Sequence, residues 1–147
     1  MKILIITQSS ISGLNYNLCE SIKETISVED NNVIVIECDP ANITNESILS
    51  STHIIMVVPE WNGSMPFTFK QMIDNSGWPS ALKGKPIMLI GTSQTSFGNI
   101  TGIAHLQQIL QFCGSTIYYR LLCIPNLKRP EEKDILRVLS STKSFLK

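Results

Sequence analysis

Short apolar runs alternate along this chain with longer segments in which apolar residues recur every three or four positions. The runs are Lys2–Ile6, Val33–Cys38, His53–Val58, Pro86–Ile90 and Thr116–Leu122, four of them apolar and one mixed, each bounded by turn residues. Runs of this length, rich in Ile and Val with little polar alternation, predict strands of a parallel sheet covered on both faces. Between the first two runs, Leu14, Leu18, Ile22 and Ile26 lie on one helical stripe while Glu20, Lys23 and Glu24 face water. After the third run, Ser64 is expected to cap a helix with Pro66 in its first turn and Phe69, Met72 and Ile73 inward. Ile103, Leu106, Leu110 and Cys113 predict another helix, stopped by Gly114. The last helix is expected to begin at Pro130, with Glu131, Glu132 and Asp134 in its first turn, to bury Ile135, Leu139 and Leu146, and to finish with Lys143 and Lys147, a charge order that complements the helix dipole. The link from Asp39 to Thr52 holds at most one short helix, Thr44–Leu49. Strand and helix alternate throughout, and right-handed crossovers then give a three-layer α/β sandwich whose simplest sheet has five parallel strands in order 2-1-3-4-5.

Composition narrows the class without naming the chemistry. With 147 residues, 43% of them hydrophobic, the chain is expected to form a single domain over residues 1–147. Twelve basic residues balance twelve acidic ones, which argues against nucleic acid or an anionic membrane as partner. The opening apolar run is too short for a signal peptide and no later run is long enough to span a bilayer, so a cytoplasmic location is expected. Cys19, Cys38, Cys113 and Cys123 are irregularly spaced, form no CxxC pair and have no histidines at metal-ligand spacing, so they read as reduced, inert thiols. The sequons at Asn42, Asn45, Asn62 and Asn99 read as coincidences of composition.

In an open parallel sheet, ligands bind beyond the carboxyl ends of the strands, where strand order reverses. Three loops lie there. Thr7 to Asn15 offers Ser9, Ser10, Ser12 and Asn15 at a helix start, a set that suits a phosphate and, equally, a plain helix cap. It is neither a GxGxxG loop nor a Walker A loop. Pro59 to Pro66 presents Pro59, Glu60, Trp61, Asn62 and Gly63, which suit a planar ligand, or else a rigid turn with Trp61 over the sheet edge. Gly91 to Asn99 places Thr92, Ser93, Gln94, Phe97 and Gly98 on the outer side of the same crevice, although such Gly- and Ser-rich connections are common in turns. His53 and His105 read as structural, Trp78 as core or interface, and the Lys and Arg residues as solvated faces. Glu60 is the one carboxylate of the crevice loops and has no opposing acid or nucleophile, so these loops are not a hydrolase site.

The stretch Pro59-Glu60-Trp61-Asn62-Gly63-Ser64-Met65-Pro66, running on to Lys70, Ile73 and Asp74, resembles the PEYNGS-IP…LKNAID signature of the NADPH-dependent FMN reductase family of flavodoxin-like proteins. Lys83-Gly84-Lys85-Pro86, the fourth strand and the loop ending at Gly98 are similar to a second family stretch. In the first loop Ser9 and Asn15 correspond, while Ile11 stands where the family has arginine and Trp61 where it more often has tyrosine. The resemblance implies FMN and NADPH as cofactors. It implies Ser9, Ser10, Ser12 and Asn15 around the ribityl phosphate and Pro59 to Gly63 along the isoalloxazine. Thr92 to Gly98, including Ser93, Gln94 and Phe97, would flank the other side and the nicotinamide approach. It further implies hydride transfer from NAD(P)H to flavin and on to a small acceptor, a flavin, quinone or azo compound, with no side-chain acid or base required, in a homodimer or homotetramer. The alternatives are a flavodoxin-like electron carrier, disfavoured by the balanced charge, and a flavodoxin-like binding domain without cofactor.

Overall fold

The computed structural model describes residues 1–8, 13–29 and 33–147, and everything below concerns those residues. The strands are β1 (Lys2–Thr7), β2 (Ile34–Cys38), β3 (His53–Pro59), β4 (Pro86–Thr92), β5 (Thr116–Ile117) and β6 (Leu122–Ile124). The helices are α1 (Leu14–Glu29), α2 (Asn45–Ser50), α3 (Phe67–Asp74), α4 (Ile100–Phe112) and α5 (Glu132–Phe145). All strand pairs are parallel and the order is β2-β1-β3-β4-β5, as the alternation predicts.

The pleat sorts each strand between two cores. Leu4, Ile6, Ile54, Met56, Val58, Ile87 and Leu89 point to one face, where α2, α3 and α4 cover them with Ile48, Phe69, Met72, Ile73, Ile103, Leu106 and Leu110. Ile3, Ile5, Ile55, Val57, Met88 and Ile90 point to the other, under Leu18, Cys19, Ile22 and Ile26 of α1 and Val138 and Phe145 of α5. Full burial of each such side chain contributes about 1.5–3 kcal/mol. That double coverage is why β1, β3 and β4 are apolar at consecutive positions.

Four expectations need correction. The run Thr116–Leu122 is not one strand: β5 and β6 occupy the same lane beside β4, and the register advances by two residues between them, with Ile87 opposite Ile117 and Ile90 opposite Leu122. The extra residues leave the ladder in the segment from Tyr118 to Leu121, where Tyr119 and Leu121 are exposed. Ser64 does not cap α3; the N-cap position falls two residues later, on Pro66, because Ser64 is committed to a turn with Trp61. In α5, Glu131 is the N-cap residue and the buried positions are Asp134, Val138, Ser141, Thr142 and Phe145, with Ile135, Leu139 and Leu146 packing at the margin. Ser141 and Thr142 are buried on the inner face, and Thr142 donates its hydroxyl to the Val138 carbonyl at 3.0 Å. Trp78 is not core: it is 78% exposed and stands beside the Phe112 ring at 6.0 Å.

The short helix in the second link is present, capped by Thr44, whose Oγ1 accepts from Ser47 N–H at 3.2 Å. The four cysteines are free thiols, and burial pushes Cys19 up to about 12 and raises Cys38 and Cys123. No described helix is long and apolar enough to cross a membrane, and no group of His, Cys, Asp and Glu among the described residues is arranged to hold a metal ion.

Candidate functional site

The ends of β1, β3 and β4 lie side by side, with Thr7 opposite Val57 and Pro59 opposite Thr92. Their loops therefore emerge together, and cross-bonds keep them together. Thr68 in the first turn of α3 donates its hydroxyl to Gln8 Oε1 at 2.8 Å, which ties the chain just after β1 to the segment after β3. Thr92 donates Oγ1–H to Asn15 Oδ1 at 2.7 Å, which fastens the start of α1 to the end of β4. Glu60 N–H donates to the Thr92 carbonyl at 2.8 Å, extending the β3–β4 pairing into the loops.

The second loop is built by local backbone chemistry. Trp61 and Ser64 exchange backbone hydrogen bonds at 2.8 and 3.0 Å around Asn62 and Gly63, whose φ values are 51° and 77°. Two consecutive positive φ values make a type I′ turn, for which Asn-Gly is the favoured pair because glycine has no Cβ and asparagine tolerates the left-handed region. Trp61 is held 47% exposed on this turn. Ser64 Oγ shares a hydrogen bond with His105 Nδ1 at 3.2 Å, so His105 anchors the turn to α4.

The third loop is pinned from within. Ser93 is buried and its Oγ accepts from Thr95 N–H at 2.7 Å, while Thr95 donates Oγ1–H to Glu60 Oε2 at 3.1 Å. Asn99, 2% exposed and left-handed at φ 62°, caps α4: its Oδ1 accepts from Gly102 N–H at 3.1 Å. The same side chain donates Nδ2–H to the Val58 carbonyl at 3.0 Å, across to β3. One buried amide thus fixes the third loop against the end of β3, just before the second.

Between these loops lies an open hollow of about 300 Å³ lined by Glu60, Gly63, Phe97, Asn99, Ile100 and Thr101. Of the candidate residues, Glu60, Gly63 and Phe97 line it; Pro59, Trp61 and Asn62 share the loop of Glu60 and Gly63 without lining it, Thr92 and Gly98 are buried in the third segment, and Gln94 is exposed there. Asn15 reaches this set through Thr92, whereas Ser93 is occupied in holding the loop. Ser9, Ser10 and Ser12 lie outside the described residues. His105, read as structural, has that role here, while sequence reasoning passed over the ties made by Asn99, Gln8 and Thr68; the motif that could have pointed to Asn99 is an Asn preceding an apolar helical run, a common cap signal.

The family model for NADPH-dependent FMN reductase matches residues 1–124. A subunit of NADH:(hydroxy)cinnamate reductase, CrdA of Vibrio ruber, is 30% identical over 74 residues, a match spanning 48% of this chain and 37% of that protein. Among solved structures, the flavoenzyme NAD(P)H:(acceptor) oxidoreductase FerB of Paracoccus denitrificans superposes with a TM-score of 0.77 at 17% identity, covering 98% of this chain and 94% of its own. Oxidised Flavodoxin 2 of Bacillus cereus superposes with a TM-score of 0.79 at 22% identity, over 99% and 98% of the two chains. At those identities the two structures establish the flavodoxin-like fold. The family match runs from the first strand through the split fifth lane, and on it the chain belongs to the NADPH-dependent FMN reductase family.

Proposed function

We propose that the chain is an FMN-dependent oxidoreductase that passes hydride from NAD(P)H to flavin and on to a small acceptor such as a flavin, quinone or azo compound. The observation that supports this reading is the open hollow between the segments after β3 and β4, to which Gln8 and Asn15 at the end of β1 and the start of α1 are tied through Thr68 and Thr92. The residues present fit an isoalloxazine: half-exposed Trp61 and exposed Phe97 supply ring surface, and the Asn62–Gly63 turn supplies backbone polar groups between them. When bound, FMN supplies the redox chemistry, taking hydride from the nicotinamide and releasing electrons to the acceptor.

The protein's part is to bind, orient and exclude water. Pro59, Glu60, Trp61, Asn62 and Gly63 would line the ring. Ser9, Ser10, Ser12 and Asn15 would hold the phosphate; Asn15 Oδ1 already accepts from Thr92, so its amide N–H group would be the donor to a phosphate oxygen. Thr92, Ser93, Gln94, Phe97 and Gly98 would border the approach of the nicotinamide. Glu60, bonded to Thr95, keeps a carboxylate at the rim without a proton-transfer partner, which suits direct hydride transfer.

Residues 1–147 act as one domain in this reading, in the cytoplasm, where four free thiols stay reduced. The exposed Trp78 and Phe112 rings form a face suited to a homodimer or homotetramer. The test is flavin uptake followed by NADPH oxidation with an acceptor; no uptake at high micromolar FMN ends the proposal. Asn15→Ala and Gly63→Val place the site: each should weaken FMN affinity tenfold or more, and unchanged affinity in both would show that the site lies elsewhere.

A further inference from the structure

We propose that Lys128 and Arg129, on the turn after β6, form an oxyanion subsite that takes a phosphoryl group of the reducing dinucleotide at the edge of the crevice. This rests on the reductase reading above and adds the recognition of the hydride donor.

The turn is built and held against the third crevice loop. Asn126 is left-handed at φ 49°, and Arg129 N–H donates back to its carbonyl at 2.7 Å, closing the turn. Asn126 N–H donates to the Thr95 carbonyl at 2.9 Å and Leu127 N–H to the Ser93 carbonyl at 2.9 Å. Just before them, Ser93 N–H donates to the Ile124 carbonyl at 3.1 Å, so the loops after β4 and β6 are laced together from both sides. Leu127 is buried beneath as an anchor. The next two residues, Lys128 and Arg129, are exposed at the same end of the sheet as the hollow, and Thr95 links that stretch directly to Glu60.

Their charges are uncommitted. Lys23, Lys70, Lys133 and Arg137 pair with carboxylates, Lys85 donates to the Leu49 and Ser51 carbonyls, and Arg120 lies over the Tyr119 ring. Lys128 and Arg129 have no ion pair and no side-chain hydrogen bond among the described residues, and they are the one place in the sequence where two cations are adjacent. The hollow itself is lined by one carboxylate, Glu60, and by no cation. A donor that carries a pyrophosphate, and in NADPH a further 2′-phosphate, needs positive charge outside that hollow. An arginine fork beside a lysine ammonium is the pair best suited to it.

The test uses the FMN-loaded protein and the variant Lys128→Ala/Arg129→Ala, with NADPH, NADH and the phosphate-free donor 1-benzyl-1,4-dihydronicotinamide. The KM for NADPH should rise about ten- to a hundredfold with kcat retained, the KM for the benzyl donor should not move, and the Kd of NADP⁺ by calorimetry should rise in parallel. A KM for NADH that stays put identifies the 2′-phosphate as the bound group; one that rises with NADPH identifies the pyrophosphate. Lys128→Arg/Arg129→Lys, which keeps both charges, should restore most of the NADPH affinity. An unchanged NADPH KM, a loss shared by the benzyl donor, or a rise confined to the KM of an anionic acceptor overturns the assignment. Failure of the wild-type chain to take up FMN sinks the reductase reading instead, and NADP⁺ calorimetry on the same protein still reports on the turn.

Discussion

Two concave regions of the molecule differ in kind, and the larger of the two is not where its loops converge. At the carboxyl end of the sheet is the 300 Å³ hollow between the second and third loops; at the opposite end, where α3 and α4 finish, is a groove of about 660 Å³ lined by Ile73, Trp78, Ile109, Phe112 and Cys113, with Lys70 and Asp74 beside it. The groove is made of helix surface and two exposed rings, and its charges are already paired with one another. The hollow is made of backbone held in left-handed turns and of side chains that bond across from loop to loop. Ligand recognition needs a few polar groups fixed in direction, whereas an apolar helix groove offers area without direction. Under the reading proposed above, the density of fixed polar contacts and not volume picks out the site.

That contrast is broken most severely by filling the third loop. A Cβ on Gly98 would stand 2.8 Å from Cys123 Cβ and 3.0 Å from Ile124 N, at φ +61°. Gly98→Val should cost about 3 kcal/mol or more from overpacking and left-handed strain together, seen as a lowered urea midpoint. Next comes Asn99→Ala, which removes a buried cap and leaves the Val58 carbonyl unpaired. A loss of about 2–3 kcal/mol is expected, with FMN affinity falling at the same time because the two loops lose their tie. At the other end, Trp78→Ala/Phe112→Ala should change stability by about 0.5 kcal/mol or less, since both rings are nearly four-fifths exposed. It should lower the sedimentation-derived mass while FMN affinity stays put; a loss of FMN binding there would erase the distinction between the two regions.

The smallest effect is expected from pH. Burial lowers the pKa of His53, which sits edge-on to Phe145 at 5.2 Å. The unfolded chain therefore takes up this proton first. Stability should be level above the ordinary histidine pKa near 6.5 and should decline as the pH falls below it toward the lower folded value. A His53→Gln variant should show a shallower decline in thermal midpoint over that window, and an identical slope would assign the pH dependence to other groups.

Much of this architecture was written in local patterns. Ile3 to Ile6 and Ile54 to Val58 read as strands because both their faces are buried, and Leu18, Ile22 and Ile26 read as a helix because one face is. The second loop was legible as a turn since Asn62-Gly63 is the dipeptide a type I′ turn requires. Other features depend on partners far along the chain. Thr116 to Leu122 offers no punctuation where the lane breaks, because the break is a mismatch with β4 and not a local preference. The inner face of α5 was misplaced because small polar Ser141 and Thr142 pack as closely as apolar residues, which hydropathy does not register. Asn99 stood among ordinary loop residues, and its bond to Val58 spans 41 positions. The turn at Asn126 to Arg129 looked like solvated charge until its backbone bonds placed it beside the crevice.

The broken lane of β5 and β6 also bears on strand-to-strand pairing between chains. It forms one border of the sheet, where unpaired amide and carbonyl groups could template a neighbouring chain. A foreign strand laid along it would match two residues, lose step at Tyr118 to Leu121, and have to restart for three more. So ragged a flank is a poor template for edge-to-edge pairing on this side of the sheet.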